Sequence, residues 1–442
     1  MKMELSHARQ LTWQIIKAAL EAVDPAAAVK NYFKAQPDLT EQIKATQGRI
    51  FVIGAGKAGT PMAVAVSDIF ADKIAAGQVI VKYGHTEGAA RLSRIKIKEA
   101  GHPVPDEAGF VAAKEIAELL EQTDQNDTVL CLISGGGSAL LTLPAEGLTL
   151  QDLQNTTGRL LAAGATINEI NTIRKHLSAV KGGGLARMAA PAAIHSLILS
   201  DVVGDPLEVI ASGPTVPDPT TFADAWALIE HYNLQNTLPE AVVRRLQAGC
   251  AGDIPDTPKQ GDPIFERVNN AIIGSNRIAA QAAVKAAEAA GFQAQLLTTF
   301  VEGEAREVAR VVAGLAKGLI RNEGPLQRPA CLVLGGETTV TIKGEGKGGR
   351  NQEMALAAAI SLKDWPDLLL VCLGTDGTDG PTDAAGAFAD GLTVSRAQAL
   401  GLDPISFLAR NDSYNFFAAL NDLIVTGPTN TNVNDLILVL AW

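Results

Sequence analysis

Val52-Ile53-Gly54-Ala55-Gly56-Lys57-Ala58-Gly59 closes an apolar run that begins at Ile50 and opens a small-residue helical pattern extending to about Ala76. A strand, a glycine turn and a helix in that order form the first unit of a doubly wound α/β sheet. Glycines at 54, 56 and 59 fit G-x-G-x-x-G, a turn that lets a backbone approach a pyrophosphate. Lys57 does not belong to that pattern. It sits inside the turn, at the carboxyl edge of the expected strand, where ligands bind in such sheets. Glycines that only pack a helix onto a strand leave this charged side chain unexplained.

The next strand tests the dinucleotide reading. An acid about 20 residues past the glycines would bind the ribose hydroxyls. The candidate strand, Gln78-Val79-Ile80-Val81-Lys82-Tyr83, carries Lys82 near its end and no acid. A lysine there suits only a 2′-phosphate. No G-x-x-x-x-G-K-[ST] occurs, and no protein-kinase set of motifs.

Working outward, strand candidates fall at 50–54, 78–83, 94–99, 128–133 and 193–199, separated by helical patterns at 57–76, 106–121, 149–163, 169–181 and 222–232. That alternation predicts parallel pairing. The proline- and glycine-rich stretch 249–264 reads as a linker. It divides the chain into an expected first domain at 1–255 and a second at 265–442. Strand candidates after it are 271–274, 293–298, 330–334, 339–343, 368–373, 423–426 and 435–440. The pair 330–334 and 339–343, joined by Gly-Gly-Glu-Thr, reads as a hairpin, so the second sheet is expected to be mixed.

Bulk properties agree. A chain of 442 residues exceeds one ordinary core. Net charge of −11 argues against nucleic acid or an anionic membrane as partner. The cysteines, Cys131, Cys250, Cys331 and Cys372, form no C-x-x-C pair, and three lie in apolar strand-like runs, which fits reduced structural thiols and a cytoplasmic home. The scattered histidines argue against zinc. No apolar run reaches 18 residues and residues 1–14 lack a signal-peptide core.

Five loops carry chemistry. Ser134-Gly135-Gly136-Gly137-Ser138 follows the strand 128–133 and reads as an anion cradle of N–H and hydroxyl groups. Asn171, Arg174, Lys175 and Ser178 share one helical face by spacing, leading into three glycines. Asp201 ends the strand 193–199, where a base or a magnesium ligand is well placed. Lys347 and Arg350, with Gly346, Gly348 and Gly349, read as a second anion loop. A cation at a helix start opposes the helix dipole, so Arg350 is expected to meet an anion. Asp376, Asp379 and Asp383 follow the apolar strand 368–373 with a spacing that is not an EF-hand. Two α/β domains carrying anion loops and aspartates at strand ends suit phosphoryl transfer in a cleft between them.

Together these stretches resemble the class II glycerate kinases, a two-domain family with a C-terminal MOFRL domain. The resemblance rests on Ile-Gly-Ala-Gly-Lys-Ala at 53–58, Ser-Gly-Gly-Gly-Ser-Ala-Leu at 134–140, Asn-Thr-Ile-Arg-Lys-His-Leu-Ser at 171–178, Ser-Asp-Val-Val-Gly-Asp at 200–205 and Ala-Ser-Gly-Pro-Thr at 211–215. In the second half it rests on Gly-Gly-Glu-Thr-Thr-Val at 335–340, Gly-Gly-Arg-Asn-Gln-Glu at 348–353 and the aspartate loop at 374–386. It implies a Rossmann-like domain and a smaller mixed-sheet domain. It also implies phosphorylation of D-glycerate with ATP and Mg²⁺, usually to 2-phosphoglycerate. The family's important lysine and arginine fall on Lys57 and Arg350.

The expected roles follow. Lys57 and Arg350 neutralise the moving phosphoryl group and the substrate carboxylate. Gly54, Gly56, Ser134 to Ser138, Lys347 and Gly348 hold nucleotide phosphates. Asn171, Arg174, Lys175 and Asp379 bind substrate. Asp201 or Asp376 holds Mg²⁺ or orients the acceptor hydroxyl. A monomer or homodimer is expected. Two other readings remain: a nicotinamide-dependent hydroxypyruvate reductase, a label some relatives have carried, and a non-catalytic nucleotide or sugar-acid sensor.

Overall fold

The apolar run at Ile50 is buried because a strand flanks it on each side. The computed structural model describes residues 3–324 and 326–442. Ile50–Ala55 forms β1, Ile74–Lys82 β2, Ile95–Ala100 β3, Thr128–Ile133 β4, Ala193–Leu199 β5 and Val268–Gly274 β6. They lie in the order β3-β2-β1-β4-β5-β6, the doubly wound order that reverses direction beside β1. β1 is parallel to β2 and β4, β2 to β3, and β4 to β5. Helices cover such a sheet on both faces, so β1 and β4 read as unbroken apolar runs and are buried throughout.

The carboxyl ends of β1 and β4 approach very closely. A Cβ on Gly54 would stand 2.1 Å from the Leu132 carbonyl oxygen, and one on Gly56, at φ +145°, 2.0 Å from Ser134 Oγ. Only glycine fits either place.

Two expectations fail here. The helix after the glycine turn spans Gly59–Phe70 and stops short of Ala76. The small residues that follow enter β2 instead, with Ala76 opposite Phe51 and Gly77 opposite Val52. Small side chains carry little periodicity, and pairing with β1 decides their state. The run 271–274 does not open the second sheet. It completes β6 at the edge of the first.

The chain divides into two compact units, one of Pro25–Ser200 with Asp205–Ile273, the other of the described residues up to Asp24 with Asp201–Gly204 and Gly274–Trp442. The expected boundary at 255–265 therefore moves to 273, and the N-terminal helix Leu5–Ala22 joins the C-terminal unit. It packs along the helix Asn276–Ala289. Its Arg9 reaches the buried carboxylates of Asp390 and Asp422 at 2.9 and 2.7 Å.

In that second unit Gln293–Glu304 forms β7, Ala330–Thr339 β8, Leu368–Gly374 β9, Gly386–Asp390 β10, Leu423–Ile424 β11 and Asp435–Ala441 β12. The order is β11-β10-β9-β12-β8-β7, with β7 parallel to β8 and the other pairs antiparallel. The sheet is mixed, as expected, but not through a hairpin at 335–338. Gly335 and Gly336 continue β8 and pair with Leu436 and Asp435 of β12. At Gly336, φ is +149° and a Cβ would stand 2.1 Å from the Val301 carbonyl oxygen, so the glycine serves strand contact rather than a turn. The helices Ala305–Ile320 and Arg350–Ser361 bury alanine-rich faces in this unit's core.

Gly54→Ala should lower stability by about 2–3 kcal/mol, because the clashing atom is backbone and cannot rotate away. Urea unfolding reads this as a lower midpoint at constant slope. An unchanged midpoint would mean that β1 and β4 separate freely at this end.

Candidate functional site

The glycine turn after β1 is stitched to both neighbouring strands. Gly56 N–H donates to the Ile80 carbonyl (3.0 Å) and Lys57 N–H to the Gly135 carbonyl (2.9 Å). Ala58 N–H donates to Ser134 Oγ (3.1 Å), and His85 Nδ1 lies 3.1 Å from the Lys57 carbonyl oxygen. These bonds occupy the Lys57 backbone and leave its side chain to other uses. Among the described residues its ammonium pairs with no carboxylate. His102 and the Lys57 stem lie against Gly136. Burial, with the charges of Lys57, Lys82 and His85 adding to it, pushes the His102 pKa down to about 4, so its ring is neutral at pH 7. His85 is lowered too, chiefly by burial. Lys57 is thus the cation presented at this turn.

Beyond Gly137, Ser138 Oγ lies 2.7 Å from Ser212 Oγ, which donates to Asn171 Oδ1 at 3.1 Å. Ser212 is a site residue that sequence reading does not single out. It and Ala211 hold φ values of +62° and +51°, a conformation that costs energy in non-glycine residues and concentrates at functional sites. The Ala-Ser-Gly-Pro run is the signal that marks it.

The expected basic helix face does not exist as a solvated stripe. In the helix Ile167–His176, Asn171 and Lys175 are buried. Lys175 pairs with the fully buried Asp218 at 3.2 Å, so its charge is met within the fold. Arg174 is half-buried, donates to Thr157 Oγ1 at 3.4 Å, and is lowered in pKa by burial. Ser178 lies past the helix end and donates to the Leu143 carbonyl. Lys181, missed by the sequence reading, is buried. It donates to the carbonyls of Ser138 (2.6 Å) and Leu141 (3.2 Å). Burial, aided by the Arg174 charge, pushes its pKa down to about 7.

The mixed-sheet unit carries its own cluster, around a cavity of about 670 Å³ lined in part by Glu337, Thr338, Gly348, Arg350, Asp376 and Asp379. Arg350 opens the helix Arg350–Ser361 as expected, and the chain itself supplies the anion it needs. Its Nε and Nη2 hold Asp435 at 2.6 and 2.9 Å, and Nη1 holds Glu337 at 2.9 Å. Burial works against the Arg350 charge, but these carboxylates outweigh it and keep the pKa above the ordinary value. The free cation expected at this position is therefore a paired one.

Asp379 accepts the backbone N–H groups of Asn351 (3.1 Å) and Gln352 (2.8 Å) at the start of the same helix. Burial nevertheless pushes its pKa up to about 6, and burial also raises Asp435. Asp376 faces the cavity while accepting from Thr378 N–H. Asp201 joins this unit through its backbone. Asn434 Nδ2 donates to the Asp201 carbonyl (2.7 Å) and to Glu337 (3.0 Å). Thr338 Oγ1, on the cavity wall, is buried with no hydrogen-bond partner. Asp435 and Glu337 are cluster members that no loop motif announced, because they sit at the facing ends of two strands.

The second expected anion loop is largely closed. Lys343 and Gly344 N–H donate to Asn411 Oδ1, Gly346 N–H to the Arg410 carbonyl and Lys347 N–H to Asp412 Oδ1. The Lys347 ammonium lies over the Tyr414 ring, 4.1 Å from its centroid. These N–H groups are thus taken up within the chain, and Gly348 remains on the cavity wall.

Residues 11–247 match the family described as a domain of unknown function (DUF4147), and residues 330–435 match the MOFRL family. A D-glycerate 2-kinase of Thermotoga maritima is 44% identical over 97% of each chain. A crystal structure of a glycerate kinase from the same organism superposes with a TM-score of 0.90 at 43% identity, over 99% of this chain and 100% of that one. A relative from Agrobacterium vitis, 44% identical over 98% of this chain and 94% of its own, carries the provisional name hydroxypyruvate reductase. Likeness to glycerate kinases over nearly the whole of this chain, in sequence and in α/β fold, makes it a kinase. The chain belongs to the class II glycerate kinase family. Among the described residues no helix is long and apolar enough to cross a membrane.

Lys175→Met should destabilise the fold by about 3 kcal/mol, since it strands the buried Asp218 carboxylate, and should leave the Michaelis constant for the acceptor unchanged. A stable variant with a weakened acceptor constant would return Lys175 to the site. Lys181 predicts a pH effect of definite sign. Between about pH 7 and its ordinary value of 10.5 the folded chain binds fewer protons there than the unfolded chain. Its contribution to stability therefore rises as pH rises through that window. Lys181→Met should flatten the slope of unfolding midpoint against pH from 7 to 10, and an unaltered slope would count against a depressed pKa.

Proposed function

We propose that this chain transfers the terminal phosphoryl group of ATP to the 2-hydroxyl of D-glycerate, giving 2-phosphoglycerate. The observation that carries the proposal is Lys57, whose ammonium pairs with no carboxylate among the described residues, held at the carboxyl edge of a parallel sheet beside a second glycine loop. Phosphoryl transfer asks for neutralised charge and a positioned acceptor and little covalent machinery. Lys57 meets the first need, acting on the transferring group. Gly54 and Gly56 let its turn approach Ser134. The loop from Ser134 to Ser138 receives nucleotide phosphates, Asn171 stands behind it through Ser212, and Arg174, held by Thr157, shares a cavity wall with Ser138.

In the other unit Arg350 fixes Asp435 and Glu337 in one geometry instead of meeting the phosphoryl group unpaired. Asp379, whose pKa of about 6 lies close to working pH, suits contact with the substrate hydroxyl. Among the described residues no three histidine, cysteine or acidic side chains group as a metal cage. Mg²⁺ carried by nucleotide phosphates needs only one or two carboxylates, which Asp376 and Asp201 fit, and when bound it neutralises phosphate charge. The nicotinamide reading is weaker, because β2 ends at Lys82 and carries no acid for a ribose.

Lys57→Ala should lower kcat about 10³-fold with the fold intact, the usual scale for removing one charge-stabilising group. NMR of the products from ATP, Mg²⁺ and D-glycerate should show 2-phosphoglycerate. Near-normal kcat in that variant would overturn the role of Lys57. Absence of ADP, with reduced nicotinamide consumed on adding hydroxypyruvate, would replace the kinase reading by the reductase one.

A further inference from the structure

The parallel-sheet unit holds another cavity, of about 300 Å³, to which no step above assigns a ligand. Pro103, Val104 and Pro105, which follow β3, line it together with Leu153 and Leu161 of the helix Leu150–Ala162. Val104 and Leu161 are 63% and 61% exposed. Large apolar side chains left in water around one cavity mark a surface that something covers. The polar part of the lining holds neutral hydrogen-bonding groups, Gln154 and Thr157 among them, and the guanidinium of Arg174, with Lys181 beneath. Arg174 and Lys181 both reach the cavity, and among the described residues neither pairs with a carboxylate. Ser138, at the end of the glycine loop after β4, lines it as well. Its position beyond the carboxyl ends of β3 and β4 is where doubly wound sheets take ligands.

These walls ask for a ligand with a flat apolar part and an anionic part. Glycerate supplies only the second. A purine nucleotide supplies both, and the volume lies at the lower end of the range for small-molecule sites, about 300–1,000 Å³. We propose that this cavity takes the base and ribose of the donor nucleotide, between the prolines at 103 and 105 and the leucines at 153 and 161, with its phosphates passing Ser138 toward the loop at 134–138. This rests on the phosphoryl-transfer reading for the identity of the ligand.

Gly158 offers a clean probe. It lines the cavity, and a Cβ built there meets no atom within 4 Å. Gly158→Trp therefore fills the cavity from open space, at a helical position where leaving glycine is favourable. With full-length protein, photolysis with 8-azido-ATP should label peptides spanning 103–105 or 150–162, and Gly158→Trp should lose that labelling at least tenfold. The same variant should raise KM for ATP at least tenfold and hold KM for D-glycerate within twofold, while Gly158→Ala changes neither. Labelling confined to other segments overturns the assignment, as does an unmoved KM for ATP in a folded Gly158→Trp. A rise in KM for D-glycerate alone would place the acid there instead. Should the tryptophan variant fail to fold, the labelling map of the wild type decides by itself. Labelling in the cavity without ADP formation would retire the kinase reading and keep the nucleotide site. Turnover with labelling elsewhere would retire the site alone.

Discussion

The approach of β1 to β4 is the constraint on which the parallel-sheet unit depends. With Gly54 against the Leu132 carbonyl and Gly56 against Ser134 Oγ, the two central strands leave no room for a Cβ at their carboxyl ends. Backbone-to-backbone contact then follows. Lys57 N–H reaches the Gly135 carbonyl, and Ser134 N–H reaches the Ala55 carbonyl. Those bonds satisfy a turn that would otherwise carry unpaired polar groups into a dry crevice. They also aim Lys57 outward with its backbone already committed. The glycines are therefore required first by strand contact. They set the distance at which a lysine and a second loop act together.

Charge is distributed differently in the two units. In the parallel-sheet unit Lys57, Arg174 and Lys181 pair with no carboxylate among the described residues. In the mixed-sheet unit one arginine, Arg350, binds two carboxylates with a third, Asp379, close behind. Burying an unpaired cation costs several kcal/mol, so it persists where an anionic ligand repays it. Burial raises the pKa of Asp379 and Asp435 there, against the pull of the arginine. The first arrangement suits phosphate, and the second suits a hydroxyl or a divalent cation.

Legibility in the sequence followed the strength of the local pattern. The β1, β4, β5 and β12 runs are apolar and bounded by turn residues, and they were readable to within a residue or so. The boundary between units was not, because a proline-rich loop at 249–264 looks like a linker whether or not a strand of the same sheet follows it. The Gly335–Gly336 pair resembled a turn because glycine serves both turns and tight strand contacts, and only β12 on the far side distinguishes the two. In the site, residue types were readable and their partners were not. Lys57 and Arg350 each follow a glycine directly, and Lys175 lies on a helix that leads toward the glycines at 182–184. One is unpaired, one is buried on Asp218, and one is held by Asp435, 85 positions away.

That contrast separates what a motif can say from what a fold must add. A motif reports that a charge sits where the backbone turns. Its chemical use depends on whether a long-range partner has already claimed it, and such partners sit at sequence separations that no spacing rule covers. Ser212 makes the same point from the other side. It is a plain serine in a short run, yet left-handed backbone at Ala211 and Ser212 brings its hydroxyl between Ser138 and Asn171. Strain of that kind survives only where surrounding contacts over-determine it. Here those contacts come from the glycine loop and the basic helix together, so the two stretches that looked like separate anion sites are one hydrogen-bonded assembly. Lys57, beside the same glycine loop, and Arg174, on the same helix as Asn171, pair with no carboxylate among the described residues, so this assembly ties together two cations that the proposed nucleotide would meet as one ligand.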